Sequence, residues 1–137
     1  MKSAVINTTL KLAACILLVI FAQSVHAECK FYPDPNFGGG EWTLQNNDRV
    51  HWYAEGTQDA RYPLTDEVKA RNLRTFYDND SGANDKMSSV KIVGSCKAIV
   101  YEDPNGHGKK LEISSDTPNL AGTGLDNVIS MADCVCN

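Results

Sequence analysis

The chain has 137 residues, 42% of them hydrophobic, and a net charge of −4. That is enough for one domain and not comfortably for two. No segment gathers Lys and Arg, so nucleic acid and an anionic membrane are poor partners and a cation is a more natural one.

Lys2 and Lys11 flank a polar start, residues 12–22 are almost wholly apolar, and Val25-His26-Ala27 fits a small-x-small cleavage site. This predicts a signal peptide over 1–27, too short in its apolar run for a membrane anchor. Leu12-Ala13-Ala14-Cys15 also fits a lipoprotein box, but the apolar run follows Cys15 instead of preceding it, which argues against lipidation. The expected product starts near Glu28 and is secreted, extracellular or periplasmic. Loss of Lys2 and Lys11 leaves 11 of the 13 Lys+Arg against 17 Asp+Glu, a net −6.

Beyond the leader, strand-favouring residues fill 30–32 and 41–44. Residues 66–77 form the one helix candidate, with Thr65 as cap and Val68, Leu73 and Phe76 on one face. Strands are again predicted at 89–93, 98–101, 110–113 and 128–131. Pro, Gly, Asn and Asp clusters separate most of them. The pattern is all-β, a sandwich or barrel.

An internal repeat organises these strands. Tyr32-Pro33-Asp34-Pro35-Asn36-Phe37-Gly38-Gly39 aligns with Tyr101-Glu102-Asp103-Pro104-Asn105-Gly106-His107-Gly108. Each copy follows a cysteine. Farther on, Asn84-Asp85-Lys86-Met87-Ser88-Ser89 is echoed by Asp126-Asn127-Val128-Ile129-Ser130-Met131. Two features recurring in one order mean two copies of a supersecondary unit, which pair to bury a shared hydrophobic face. The first copy spans 28–94 and the second 95–137. The first is longer and carries an insertion at about 45–73, with Trp52, Tyr53, Tyr62 and the helix candidate. An insertion of this kind is tolerated on a surface and is where a specific function is expected.

Four cysteines follow the leader: Cys29, Cys96, Cys134 and Cys136. An even count in an exported small domain predicts two disulfides. A Cys134–Cys136 bond is strained, so pairings that connect these two to Cys29 and Cys96 are preferred. Zinc is disfavoured, because its usual ligand spacings are absent and no nearby His completes a set.

The repeated octet resembles the folded hairpin of βγ-crystallin Greek keys, whose pattern is aromatic-x4-aromatic-x-Gly. Tyr32, Phe37 and Gly39 meet it fully; Tyr101 and Gly108 meet it with Gly106 in the aromatic's place. The stretch Asp116-Thr117-Pro118-Asn119-Leu120 is similar to the loop after the family's second strand. The resemblance implies a Greek-key β-sandwich of two four-stranded antiparallel sheets, each motif lending its third strand to the other. It further implies calcium (Ca2+) sites at [Asn/Asp]-[Asn/Asp]-x-x-[Ser/Thr]-Ser, where the last Ser tethers the hairpin. The 84–89 stretch satisfies this completely; the 126–131 stretch ends in Met131. The implied ligands are Asp85, Ser88, Asp126 and Ser130, with Asn84 and Asn127 nearby and the carbonyls of Pro33, Lys86, Glu102 and Val128. Each site is expected to join one motif's signature loop to the other motif's hairpin. Calcium prefers six to eight hard oxygens, which these groups supply. The same stretches also suit plain Asx turns.

Catalysis finds no support: the mature chain has only His51 and His107, and no nucleophile or phosphate motif. The expected protein is a monomeric calcium binder. Two alternatives are carried. One is a secreted protease inhibitor, as in crystallin-like metalloprotease inhibitors, meeting a secreted or host protein through the 45–73 insertion. The other is a small killer-type toxin, which the acidic charge argues against.

Overall fold

The computed structural model describes residues 26–54, 63–79 and 81–137. The expected leader, apart from its last two residues, and Tyr62 lie outside them. Eight strands are present among the described residues: β1 (Glu28–Tyr32), β2 (Trp42–Gln45), β3 (Asp48–Trp52), β4 (Arg74–Asp78), β5 (Ser89–Val93), β6 (Cys96–Tyr101), β7 (Lys110–Ile113) and β8 (Met131–Cys136). One short helix, α1 (Asp66–Arg71), precedes β4. Among the described residues, no helix is long and apolar enough to cross a membrane.

Sheet one runs β2-β1-β5 and sheet two β4-β3-β8-β6-β7. β3 follows β2 in sequence yet pairs with β8 of the second copy, Arg49 facing Asp133 and Val50 facing Ala132. In return, Thr117 of the second copy bridges Val90 of β5 through two backbone hydrogen bonds of 2.8 and 3.0 Å. The exchange is symmetric: Trp52 N–H donates to Ser130 O, and Leu120 N–H to Ser88 O, both at 2.9 Å. The expected swap of third strands is therefore present, but the sheets are not four and four. Pro118 cannot donate to a ladder and cuts the swapped segment of sheet one to a bridge. Sheet two gains β4, which lies parallel to β3.

Period-two alternation sends Cys29, Phe31, Val50, Trp52, Ala98, Val100, Ala132 and Cys134 into one core between the sheets. Cys29 bonds Cys134 across the sheets, and Cys96 bonds Cys136 within sheet two, where they face each other in register. Both bonds follow the preferred pairing. They bring the sulfurs of Cys29, Cys96 and Cys134 within 4.8 Å, but each is bound in a disulfide, which removes the thiolates zinc needs.

Two predicted elements are corrected. The helix stops at Arg71, because Asn72 turns left-handed at φ 47°, and Thr75, Phe76 and Tyr77 continue as strand. Leu73 and Phe76 thus share no helical face with Val68. Thr65 caps as predicted, its Oγ1 accepting from Val68 N–H at 3.4 Å. The last strand begins at Met131, not Val128; residues 128–130 stay in the loop, where Ser130 N–H is bonded to Tyr101 O. β3 lies within the stretch expected as insertion, and the extra material instead falls between Trp52 and the 84–89 loop.

Candidate metal centre between the two motifs

The signature loops face each other in a crossed arrangement. Asp85 N–H donates to Ile129 O at 3.2 Å, and Asn127 N–H to Met87 O at 3.0 Å. Asp85 and Asn127 hold matching left-handed conformations, φ 58° and 55°. Side chains cross in the same sense. Ser130 Oγ donates to Asp85 Oδ1 at 3.1 Å, and Ser88 Oγ to Asn127 Oδ1 at 3.0 Å.

Each serine stays with its own hairpin, since Ser88 N–H bonds Tyr32 O at 2.8 Å and Ser130 N–H bonds Tyr101 O at 3.0 Å. The second signature residue is the one that crosses. One oxygen cluster therefore holds Asp85 and Ser130, with Lys86 next to the first and Glu102 following Tyr101. The other holds Asn127 and Ser88, with Val128 and Pro33 in the matching places. Asn84 and Asp126 flank them: Asn84 Nδ2 donates to Asp85 Oδ2 at 3.0 Å and Asn127 Nδ2 to Asp126 Oδ2 at 3.3 Å.

The oxygen chemistry fits a hard cation. Asp126 Oδ1 is buried and has no hydrogen-bond partner, which is costly for a carboxylate oxygen unless a cation or water meets it. Among the described residues, no backbone donor reaches the carbonyls of Pro33, Lys86, Glu102 or Val128. The donor set differs between the clusters. The Asp85 cluster has a carboxylate at the crossing position; the Asn127 cluster has an amide there.

The hairpins that frame the clusters share one backbone. Each has a short 3-10 turn, Pro35–Phe37 or Pro104–Gly106, with Asn36 and Asn105 left-handed. Any Cβ at Gly39 would strike Asp34, and one at Gly108 would strike Asp103, so both sites need glycine. In the first hairpin Phe37 packs edge-on to Tyr32, centroids 5.6 Å apart. Buried Ser89 ties it, donating to Asp34 O at 2.6 Å and accepting from Phe37 N–H at 3.0 Å. Tyr32 Oη donates to Glu41 at 2.6 Å; burial and then this carboxylate push its pKa up to about 12.

Gly106 and Met131 remove both devices from the second hairpin, and the insertion replaces them. Val68 of α1 lies where a Gly106 side chain would go and packs with Tyr101, Ile99 and Met131. Thr65 N–H donates to Asn105 O at 3.2 Å, and the His107 ring bonds Pro63 O at 2.7 Å. Arg71 Nη1 donates to Tyr101 Oη at 2.6 Å. Beneath lies an ion network absent from the sequence reading: Arg49 grips Asp133 at 2.6 and 2.8 Å, Arg71 reaches Asp133 at 3.2 Å, and Arg49 Nη1 bonds Val68 O at 3.0 Å. Arg49 and Asp133 are buried. Their opposite charges at the outward positions of β3 and β8 were the available signal, visible only once that register is known.

Comparison with solved structures bears on the fold. A double mutant of a βγ-crystallin domain from Clostridium beijerinckii is 24% identical, with TM-score 0.51, over 79% of this chain and 96% of that one. A βγ-crystallin domain from Flavobacterium johnsoniae is 23% identical, with TM-score 0.51, over 80% and 94%. The N-terminal domain of protein S is 19% identical, with TM-score 0.51, over 80% and 97%. No family model and no curated protein matches the chain. The fold is that of a βγ-crystallin domain.

Proposed function

We propose that this is an exported, monomeric, disulfide-stabilised βγ-crystallin-type domain that binds calcium at two sites between its motifs. The observation carrying the proposal is the crossed pairing of Asp85 with Ser130 and Asn127 with Ser88. In each site a side-chain oxygen of one loop, a serine hydroxyl of the other and adjacent carbonyls would hold the ion. The Asp85–Ser130–Glu102 site is the tighter, because only it has a carboxylate at the crossing position. The metal acts here as a clamp: bound only by the folded state, it adds about 2.7 kcal/mol at 100-fold excess over its dissociation constant.

Calorimetric titration with calcium tests this. Two binding events are expected, with Asp85→Ala removing the tighter and Ser88→Ala weakening the other. No heat and an unchanged melting curve at millimolar calcium would defeat the proposal.

The inhibitor alternative loses part of its support, since Trp52 and Tyr53 are buried and not displayed. Among the described residues, Phe76 and Tyr77 are the large hydrophobics that are exposed.

A further inference from the structure

The two disulfides touch, so Cys29, Cys96, Cys134 and Cys136 form one cluster. Cys134 and Cys136 stand two residues apart on β8 and so share one face of the strand, with their sulfurs 3.9 Å apart. Cys96 on β6 faces Cys136 in register, which sets Cys134 diagonally across from it. The sulfurs of Cys29, Cys96 and Cys134 lie within 4.8 Å of one another. Each bridge is thus within a side-chain rotation of the other.

The bridges differ in access. Cys29 and Cys134 are wholly buried and Cys96 nearly so, whereas Cys136, at the end of β8, is partly exposed. Exchange requires a thiolate to reach a sulfur, and within the cluster Cys136 offers it the most surface. The bridges also differ in what they join. Cys29–Cys134 ties sheet one to sheet two, while Cys96–Cys136 links two strands of sheet two that are already paired.

We infer that Cys136 is an entry site for an external low-molecular-weight thiol, and that Cys96 carries the exchange inward to the bond between the sheets. The external thiolate attacks Cys136 Sγ, forms a mixed disulfide there and expels Cys96 as a thiolate. Cys96 then attacks Cys134 Sγ, its diagonal neighbour on the adjacent strand. A Cys96–Cys134 bond forms, and Cys29 leaves as a thiolate that takes a proton from water. A new disulfide replaces each one opened, so the external thiol is the one reactant required. The bond between the sheets is thereby moved into sheet two. This site is separate from the signature loops and does not depend on calcium.

Glutathione tests this on the oxidised full chain carrying Cys15→Ser, which leaves only the clustered cysteines. Samples are quenched in acid, free thiols are blocked with N-ethylmaleimide, and linked peptides are mapped by mass spectrometry. Glutathione is expected on Cys136 first, followed by N-ethylmaleimide on Cys29 together with a Cys96–Cys134 peptide. Adding Cys96→Ala and Cys136→Ala removes the relay, and labelling of Cys29 should then be about tenfold slower, because access limits attack on a buried bond. Loss of a bridge destabilises the domain, so simple opening of the fold predicts the opposite, faster labelling. Glutathione first on Cys29 or Cys134, a Cys29–Cys96 peptide in place of Cys96–Cys134, or undiminished labelling of Cys29 without the relay would each overturn the inference.

Discussion

The first hairpin is fastened from within its own motif, by Phe37 against Tyr32 and by Ser89 beneath the turn. The second has neither group, yet it keeps the same backbone, with Asn36 and Asn105 at φ 57° and 62°. There the fastening comes from the insertion, through Val68, Thr65, Pro63 and Arg71. The comparison teaches that a missing motif residue need not mean a missing structure. Gly106 and Met131 look like decay in the sequence. In the fold they are the clearance and the apolar floor that α1 requires.

The contrast has several breaking points. The largest effect is expected from Asp133→Ala, which leaves Arg49 buried without its partner and should cost about 3–5 kcal/mol. Chemical denaturation would measure the loss, and hydrogen exchange should show the second hairpin opening before the first. Next comes acid. Burial, with some help from Arg49, pushes the pKa of His51 down to about 4, and neither ring nitrogen has a partner. Because the unfolded chain takes up this proton first, stability from His51 is complete above about pH 6.5 and is lost as pH falls toward 4. The loss is on the order of 3 kcal/mol. Melting temperatures across that window should fall in the wild type and fall less in His51→Phe.

A smaller effect sharpens the comparison. Gly106→Ala would drive a Cβ into Val68 at a residue with φ 89°, costing about 1–3 kcal/mol. A change toward the side chain found in the first hairpin is thus expected to destabilise the second. The smallest is Ser89→Ala, expected to cost about 1–2 kcal/mol by freeing the Phe37 N–H. Calorimetric melting of both variants checks the pair, and hydrogen exchange should place the Ser89 effect at residues 34–39 alone.

Much of this frame was legible because repeats leave a signal that survives substitution. Asp-Pro-Asn with its glycine, twice after a cysteine, located both hairpins; the two signature loops were legible from their Asn, Asp and Ser. What escaped was long-range. β3 carries Asp48, Arg49 and His51, residues that read as a polar loop, because its outward face is buried under an insertion that sequence alone does not place. The helix was overextended since Leu73 and Phe76 fit a helical period by coincidence, whereas Asn72 and the pairing of β4 with β3 decide the structure. The resemblance implied that each signature loop meets the other motif, but not which residues meet: that Asp85 faces Ser130 and Asn127 faces Ser88 depends on how the swapped strands set one loop against the other.

β8 lies between β3 and β6 and carries one half of each disulfide. It is also made after every other strand of the domain. Sheet two therefore lacks its central member until residues 131–136 have been synthesised, and neither cystine can form earlier. Sheet one and the β6–β7 pair have all their strands earlier, so the completion of sheet two is the step left to the end. The strand made last thus closes sheet two and both cystines together.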